Sequence, residues 1–360
     1  MRFIHLADVH LGAVPDRGFP WSARREEEIW DTFRRIFAVI REDPVDLLFI
    51  AGDLFHRQPL YGELKEVAAL FASIPETRIY LMAGNHDYLQ KGSFYREVSW
   101  PGNVCFFSDE EPVRVKDPKL PVYVYGLSYE HQEIRESLYD EIAPWSDDMQ
   151  EDAFHILLAH GGDETHIPMN VRELSAAGFD YLALGHIHRP GILITDRAAY
   201  AGALEPIDRN DIGKHGYMLG WTERGRLRTR FVSFASRCYL PLVVETGPED
   251  THTELEERIR ERIHALGSGN IYRITLQGER STDTVFLPER LKRLGNVIEI
   301  RDESRVRMDL KELYRRYRGT IIGDYIHSFG EEEDLSDTER KALFYGLGAL
   351  FKTARFGEET

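Results

Sequence analysis

The amino-acid sequence predicts a layered α/β domain, followed by a smaller α/β module and a helical C-terminal tail. Three observations lead to this prediction. Short apolar runs alternate with helical patterns through the first two hundred residues, as they do in layered α/β domains. These runs are almost continuously apolar, which is typical of strands in a sheet covered on both faces. Past residue 190 the pattern changes to closely spaced strand-like runs, and two amphipathic segments end the chain.

The elements of the first domain follow from these patterns in chain order. Helical spacing of apolar residues predicts one helix at 23–42, with Ile29, Phe33 and Ile36 on its apolar face, and another at 62–74. Short apolar runs predict strands around these helices. The predicted strands are 2–7, 46–51, 78–83, 122–127, 154–159, 181–184, 191–196, 198–204, 216–222 and 227–234.

A separate α/β module is predicted after these strands, because strand and helix patterns alternate once more within about seventy residues. Its predicted elements are a strand at 240–246, a helix at 252–266, a strand at 271–277, a helix around 284–294 and a strand at 297–302. We therefore expect three domains, at residues 1–236, 237–305 and 306–360.

Composition and charge narrow the class of protein. The chain has 360 residues, 42% of them hydrophobic, and no apolar run that approaches the roughly 18 residues of a membrane span. The N-terminus lacks a signal-peptide pattern, and the only two cysteines argue against a disulfide framework, so we expect a cytoplasmic protein with no membrane contact. The net charge of −16 argues against a protein that binds the nucleic-acid backbone over its whole surface. Contact with DNA would need a local site, bound metal or a partner.

Polar side chains follow five of the predicted strands where each strand ends. Ligands of open α/β sheets bind at the carboxyl ends of the strands, so we expect these groups to converge. One such histidine alone is more often structural, and Gly84–Asp87 alone could be a surface turn, but five such strand ends are hard to explain in that way. These residues are Asp8, His10, Asp53, His56, Asn85, His86, Asp87, His160, His186 and His188. The loop histidines expected at the surface are His131, His166 and His215.

The kinds of side chain in this group indicate a metal centre. Clustered carboxylates and imidazoles would repel or desolvate one another without a cation. Carboxylate, amide and imidazole ligands without a thiolate suit manganese, iron or zinc and disfavour a structural zinc–thiolate site. The candidate ligands are too many for one ion, so we expect two divalent ions that share a carboxylate and promote displacement at phosphorus. Manganese is favoured, with iron, zinc and magnesium as alternatives.

These motifs resemble, in order, the five motifs of the calcineurin-like metallophosphoesterase superfamily. The motifs are Asp8-x-His10, Gly52-Asp53, Gly84-Asn85-His86-Asp87, His160 and Gly185-His186-x-His188. The resemblance covers roughly residues 1–235 and implies an α/β fold, a metallophosphoesterase β-sandwich flanked by helices. It also implies two ligand sets that share one carboxylate. The sets are Asp8, His10, Asp53 and His188 for one ion, and Asp53, Asn85, His160 and His186 for the other.

The sequence around the motifs is similar to that of the DNA double-strand-break repair nuclease subunit, the SbcD-type exonuclease. "HLADVHLG", "AGDLFHRQPL", "GNHD" and "LGHIHRP" carry this similarity. It implies a manganese-dependent exonuclease or endonuclease in DNA repair, with His86 facing the phosphate, His56 holding it and Asp87 orienting His86. It also implies that the module at 237–305 corresponds to a capping domain. The alternatives are a phosphodiesterase for small molecules or cyclic nucleotides, and a non-catalytic scaffold subunit.

The C-terminal tail predicts two amphipathic helices joined by a charged hinge at 331–334. The first, at 309–329, has Leu310, Leu313, Tyr314, Tyr317 and Ile321 on one face. The second begins at a capping box, Ser336-x-x-Glu339, and has Leu343, Phe344, Leu347, Leu350 and Phe351 at helical spacing. These faces either fold back on the chain or form a homodimer. Alternatively, as the resemblance implies, they bind the coiled-coil base of an SbcC-type ATPase, which would supply the DNA-binding surface that this acidic chain lacks.

Overall fold

A computed structural model describes residues 1–140, 142–144, 153–281, 284–307, 310–330 and 335–356. The chain forms two compact units, Met1–Leu240 with Gly269–Ile271, and Pro241–Ser268 with Tyr272–Thr360. The predicted hinge at 331–334 lies outside the described residues, and the division into three domains stays a prediction. Within the described ranges, no helix is both long and apolar enough to cross a membrane.

The first unit contains two mixed β-sheets. In its described part the strands are β1 (Arg2–Leu6), β2 (Leu47–Ala51), β3 (Arg78–Met82), β4 (Val104–Phe106), β5 (Val113–Lys116), β6 (Val122–Gly126), β7 (Phe154–His160), β8 (Tyr181–Gly185), β9 (Gly191–Ile194), β10 (Ala198–Tyr200), β11 (Gly216–Glu223) and β12 (Arg226–Ser233). One sheet has the order β12-β11-β1-β2-β3-β4 and the other β5-β6-β7-β8-β10-β9. The middle strands of both sheets are parallel. This arrangement confirms the predicted α/β fold and adds β4 and β5 to the predicted strands.

Strand β2 illustrates why both faces of its sheet are buried. Leu47 and Phe49 lie in the core between the two sheets, whereas Leu48 and Ile50 pack with helical residues on the outer face, as expected from the two-residue period of a strand. The helices of this unit are α1 (Ser22–Glu42), α2 (Tyr61–Ala72) and α3 (Val171–Ala176). The first two contribute their predicted apolar faces to that outer core.

The second unit begins with a small sheet in the order β13-β14-β15, with β16 paired to β14. Its elements are β13 (Tyr239–Thr246), α4 (His252–Leu266), β14 (Ile271–Arg280), α5 (Pro288–Leu291), β15 (Val297–Asp302) and β16 (Arg305–Val306). The predicted helix at 284–294 is wrong in extent, because only α5 and a 3₁₀ turn at Lys292–Leu294 are helical. Proline lacks an N–H and is tolerated only in the first turn of a helix, so Pro288 marks the start.

The tail contains three described helices, α6 (Leu310–Arg316), α7 (Ile321–Ser328) and α8 (Asp337–Phe356). The prediction of one helix over 309–329 is wrong. Gly319 has a φ of 79°, which ends α6, and the Thr320 side chain accepts a hydrogen bond from Gly323 N at 3.4 Å, which starts α7. The capping box before α8 is confirmed, because Ser336 N donates to Glu339 at 3.0 Å and Glu339 N donates to Ser336 Oγ at 3.3 Å.

The apolar faces of α6, α7 and α8 pack on one another. Their buried cluster consists of Leu310, Leu313, Ile322, Ile326, Leu343 and Leu347. Ile321, which we expected on the apolar face, is 73% exposed, because the break at Gly319 changes the helical phase. The tail therefore covers most of its own apolar surface.

Candidate metal centre

The seven predicted metal ligands come together at the carboxyl ends of five strands. Those strands are β1, β2, β3, β7 and β8, which are the central parallel strands of the two sheets. Groups of these side chains have ligand atoms within 4.8 Å of one another, including Asp8 with His10 and His188, and Asp8 with Asp53 and His160. Five separate sequence segments thus build one site.

The backbone is left-handed at four of these residues. Asp8, His10, Asp53 and His186 have φ values of 50°, 52°, 51° and 95°. This region costs a non-glycine residue of order 1–3 kcal/mol and is found most often at functional sites. Asp, Asn and His tolerate it better than most residues. The surrounding fold therefore holds these side chains in positions that the local chain would not adopt alone.

Glycines next to the ligands allow the strand ends to approach one another closely. A Cβ on Gly84 would lie 2.3 Å from Asp53 Oδ1 and 2.8 Å from His160 Nε2. A Cβ on Gly185 would lie 2.0 Å from the carbonyl oxygen of Ala51. Real Cβ atoms do not approach so closely, so any side chain at these positions would push the site apart.

Asp53 lies between the two halves of the site. Its Oδ2 is 3.8 Å from His10 Nε2 and 3.4 Å from His160 Nε2. Its Oδ1 accepts a hydrogen bond from His86 N at 2.9 Å. One carboxylate oxygen thus faces imidazoles that belong to both predicted ligand sets.

Asn85 and the histidines of the Gly185-His186-x-His188 motif complete the two halves. Asn85 Oδ1 is 2.9 Å from His160 Nε2 and 3.2 Å from His186 Nδ1. Nε2 of His188 is 3.0 Å from Nε2 of His10. Lone pairs that face each other at such distances repel unless a proton or a cation lies in their field.

The buried charges of the site fit a cation. Asp8 and Asp53 are at most 1% exposed. Burial raises the pKa of Asp8 to about 6, despite the nearby His160 and His188. Burial opposes ionisation of Asp53, but His160 and His10 keep the pKa of its carboxyl below the ordinary range. Burial likewise opposes protonation of His160, but Asp53 raises its pKa to about 9. Positive charge is therefore needed here, and this donor set suits divalent Mn, Fe or Zn.

His56 and His86 lie at the open side of this group. Their rings stack at 5.0 Å between centroids with an interplanar angle of 22°, and His86 lies 4.9 Å from the ring of His10. His86 Nδ1 is 3.1 Å from the carbonyl oxygen of His56. When Nδ1 donates to that oxygen, Nε2 is the nitrogen of His86 that can exchange a proton with a substrate.

The predicted contact of Asp87 with His86 is wrong. Asp87 is fully buried, and its carboxylate accepts hydrogen bonds from Gly84 N at 2.8 Å, Phe55 N at 3.0 Å and the Tyr95 hydroxyl at 2.6 Å. The two backbone donors belong to the turns that carry Asn85 and His56, so Asp87 fixes the backbone of the site. Its sequence position beside His86 did not reveal this, because the two adjacent side chains point to different sides of the turn.

The sequence prediction missed two carboxylates next to the site and misjudged two histidines. Asp163 Oδ2 is 2.7 Å from His186 Nε2, and Asp211 Oδ2 is 3.3 Å from His188 Nδ1. His166, expected at the surface, is 2.9 Å from the same Asp163 oxygen. His215 is fully buried, with a ring nitrogen 3.1 Å from the carbonyl oxygen of Ala203. A signal was present at Asp163, three residues after His160, but no spacing rule points to Asp211.

Two stacked sheets that gather carboxylate, amide and imidazole groups at one edge define a metal-dependent phosphoesterase. The chain belongs to the calcineurin-like phosphoesterase family, whose model matches residues 1–190. This family uses divalent metals, which agrees with the side chains gathered in this site.

Curated relatives share between one quarter and one third of their residues with this chain. It is 28% identical over 302 residues to the uncharacterized metallophosphoesterase YhaO of Bacillus subtilis, which covers 77% of this chain and 72% of that protein. It is 28% identical over 224 residues to the DNA double-strand break repair protein Mre11 of Methanocaldococcus jannaschii, covering 59% and 58% of the two chains. For Mre11 of Methanopyrus kandleri the identity is 26% over 351 residues, covering 88% and 76%.

Proposed function

We propose that the chain is a dinuclear, metal-dependent nuclease that cleaves DNA phosphodiesters in DNA repair. The observation that carries this proposal is the convergence of seven carboxylate, amide and imidazole ligands beside an open pair of histidines, His56 and His86. The two Mre11 relatives are DNA double-strand break repair proteins by name, which supports DNA as the substrate.

The proposed ligands divide into two sets joined by Asp53. The first set is Asp8, His10, Asp53 and His188, and the second is Asp53, Asn85, His160 and His186. When bound, two divalent ions supply the positive charge against which phosphate oxygens are held and near which water loses a proton at neutral pH. We favour manganese, since the set mixes carboxylates with imidazoles and has no thiolate.

His86 and His56 are the proposed catalytic residues. His86 Nε2, left free by the contact of Nδ1 with the carbonyl oxygen of His56, donates to the phosphate or to the leaving oxygen as negative charge develops there. His56 is exposed and stacks on His86, so it contacts the same phosphate from the adjacent side. Asp87 holds the backbone beneath both residues.

Cleavage of end-labelled linear DNA with and without Mn²⁺ tests this proposal. We expect Mn²⁺-dependent cleavage that chelation abolishes and that His86→Gln removes, while a variant of exposed His131 outside the site cleaves normally. A parallel assay with a nitrophenyl phosphodiester separates the alternatives. Turnover of this small diester without DNA cleavage would favour a small-molecule phosphodiesterase, and no turnover of either substrate by the metal-loaded protein would favour a scaffold.

We also propose that the tail binds the coiled coil of an SbcC-type ATPase. The apolar faces of α6 to α8 mostly cover one another, so they leave less apolar surface for a partner than we expected. The proposal therefore rests on Ile321 and Tyr345, which are 73% and 81% exposed. Ile321→Glu and Tyr345→Glu should abolish co-purification with such an ATPase and leave turnover of the small diester unchanged. Val243→Glu, at another exposed apolar position, serves as the control. Co-purification that survives both tail variants would contradict this proposal.

A homodimer is the other proposed assembly, and because the tail faces mostly cover one another, we propose it on the first unit instead. Leu60, Tyr61 and Phe94 are large exposed apolar residues in the first unit, and the rings of Tyr61 and Phe94 lie 5.7 Å apart. Exposed apolar side chains that lie together, as Tyr61 and Phe94 do, are candidates for an interaction surface. Light scattering should therefore report a dimer that Phe94→Glu dissociates and Ile192→Glu, at an exposed apolar residue elsewhere, does not. A wild-type monomer at high protein concentration would contradict the dimer.

A further inference from the structure

We propose that Asp163 and Asp211 are positioning residues that fix which ring nitrogen His186 and His188 present to the metal centre. This inference rests on the proposed metal centre, and it concerns two carboxylates that belong to neither ligand set. Each binds one histidine of the Gly185-His186-x-His188 motif from the side opposite to the site. Such outer carboxylates orient the ring and increase the basicity of the nitrogen that binds the metal.

Asp163 acts on His186. Nε2 of His186 donates to Asp163 Oδ2 at 2.7 Å, which leaves the lone pair on Nδ1, and Nδ1 is the nitrogen 3.2 Å from Asn85 Oδ1. The other Asp163 oxygen accepts from Thr165 N at 2.8 Å and from His166 N at 2.9 Å. The carboxylate is therefore held by its own loop before any metal binds.

Asp211 acts on His188 with the nitrogens exchanged. Nδ1 of His188 faces Asp211 Oδ2 at 3.3 Å, and Nε2 is the nitrogen that lies 3.0 Å from His10. The same Asp211 oxygen accepts from Ile207 N and Asp208 N, both at 3.0 Å. Two histidines only two positions apart in the sequence thus present different ring nitrogens to the site, and a carboxylate anchored to backbone amides accounts for each choice.

The anchoring matters because it decides which way round the ring of His186 lies. The backbone of His186 has a φ of 95°, and its N–H donates to Asp8 at 3.0 Å. The ring lies 4.5 Å from the ring of His166 and 5.3 Å from the ring of His160, but ring contacts of this kind do not select between its two nitrogens. Without Asp163, the ring could expose either nitrogen to the site. Removal of the outer carboxylate should therefore weaken metal binding without removing a ligand.

Calorimetric titration of the full chain with Mn²⁺ tests the inference independently of catalysis and of DNA. Asp163→Ala and Asp211→Ala should each raise a Mn²⁺ Kd by about 10–100-fold while two ions still bind. Asp211→Asn should recover most of this loss, because the oxygen that faces His188 also accepts from both backbone amides and one amide oxygen can replace it. Asp163→Asn should recover less, because the two oxygens of Asp163 accept from different donors and asparagine keeps only one acceptor. Asp196→Ala is the matched control, since Asp196 also accepts from a backbone amide, Thr229 N at 2.7 Å, and contacts no site histidine.

The outcomes distinguish the positioning role from the metal centre and the nuclease activity that we propose above. Wild-type Kd values in both alanine variants would overturn the positioning role. Loss of one bound ion in Asp163→Ala, with the remaining affinity unchanged, would overturn it as well, because Asp163 would then be a ligand together with His166. Absence of Mn²⁺ binding by the wild type would overturn the metal centre itself, and with it this inference. Absence of DNA cleavage alongside the expected Kd changes would overturn only the nuclease proposal.

Discussion

Asp87→Asn distinguishes between two roles for a buried carboxylate. The sequence suggested that Asp87 orients His86, whereas the structure shows that it accepts from Gly84 N, Phe55 N and the Tyr95 hydroxyl. Asparagine keeps one acceptor atom, so it can satisfy the donors at only one end of the former carboxylate. At least one hydrogen bond to a charged group is lost and a buried backbone N–H is left without an acceptor.

The expected magnitude follows from that count. One hydrogen bond to a charged group contributes about 1.5–3 kcal/mol to the free energy of unfolding. For a unit of roughly 240 residues, each kcal/mol shifts the melting temperature by about 2–4 °C, so Asp87→Asn should melt about 3–12 °C below the wild type. The measurement is made at pH 8, because burial raises the pKa of Asp87 to about 6 and the carboxylate is ionised there.

Metal binding supplies the second measurement for this variant. The turn that Asp87 holds also carries Asn85, so the Mn²⁺ Kd should rise by about 10–100-fold. Asp117→Asn is a matched control, because Asp117 is also buried and accepts from two backbone amides, Lys119 N and Leu120 N, and from the Tyr80 hydroxyl. The control should lose stability but keep its Mn²⁺ affinity. Unchanged melting and Mn²⁺ binding in Asp87→Asn, together with a lower turnover rate, would refute this reasoning and restore the role in orienting His86.

Four further predictions concern the site and its support. His86→Gln should lower the rate of DNA cleavage by about 10²–10³-fold while elemental analysis still finds two ions, because it removes a donor to the phosphate and no ligand; loss of metal would make His86 a ligand instead. Asp53→Asn should weaken the binding of both ions, and titration that shows only one weakened site would argue against a shared carboxylate. The carboxylates of Asp53 and Asp211 overcome the effect of burial and raise the pKa values of His160 and His188 to about 9, so each imidazole must release a proton to bind a metal. Mn²⁺ affinity should therefore rise by up to about tenfold per pH unit for each ion between pH 6.5 and 9 and then level off, and a flat profile would contradict this linkage. Glu205→Ala should lower the free energy of unfolding, measured in urea, by about 3–5 kcal/mol. Glu205 and Arg25 are both fully buried and 3.7 Å apart, so the variant leaves Arg25 without one of its two carboxylate partners. Glu66→Ala, which breaks an exposed ion pair with Arg34, should change the free energy of unfolding by less than about 1 kcal/mol.

The sequence predicted the strands of the first unit well because their pattern has one physical cause. A strand covered on both faces must be apolar at every position, as β2 is from Leu47 to Ala51, and a polar residue directly afterwards marks its end. The same contrast located Asp8, Asp53, Asn85 and His160. Helix boundaries in the tail were harder, because periodicity continues through 309–329 while the positive φ of Gly319 divides the segment.

The parts of the site that the sequence did not reveal depend on contacts between distant segments. Asp211 meets His188 from 23 positions away, and Asp163 meets His186 from the same separation. Asp87 shows the opposite case, since a neighbour in sequence proved not to be a partner in space. Apolar periodicity records which face a residue buries, but it carries no information about which polar groups meet at a loop.

The left-handed backbone at Asp8, His10, Asp53 and His186 bears on how a metal-free reference protein should be engineered. Alanine at these positions would remove a ligand and also introduce a residue that disfavours the conformation, so a loss of activity could reflect local unfolding. Asparagine and glycine adopt this conformation more readily. Variants such as Asp8→Gly or His186→Gly would therefore separate the loss of a ligand from the loss of its scaffold. The same preference means that a combinatorial library selected for folding alone would be enriched at these four positions in Gly, Asn, Asp and His, three of which are also metal ligands in proteins.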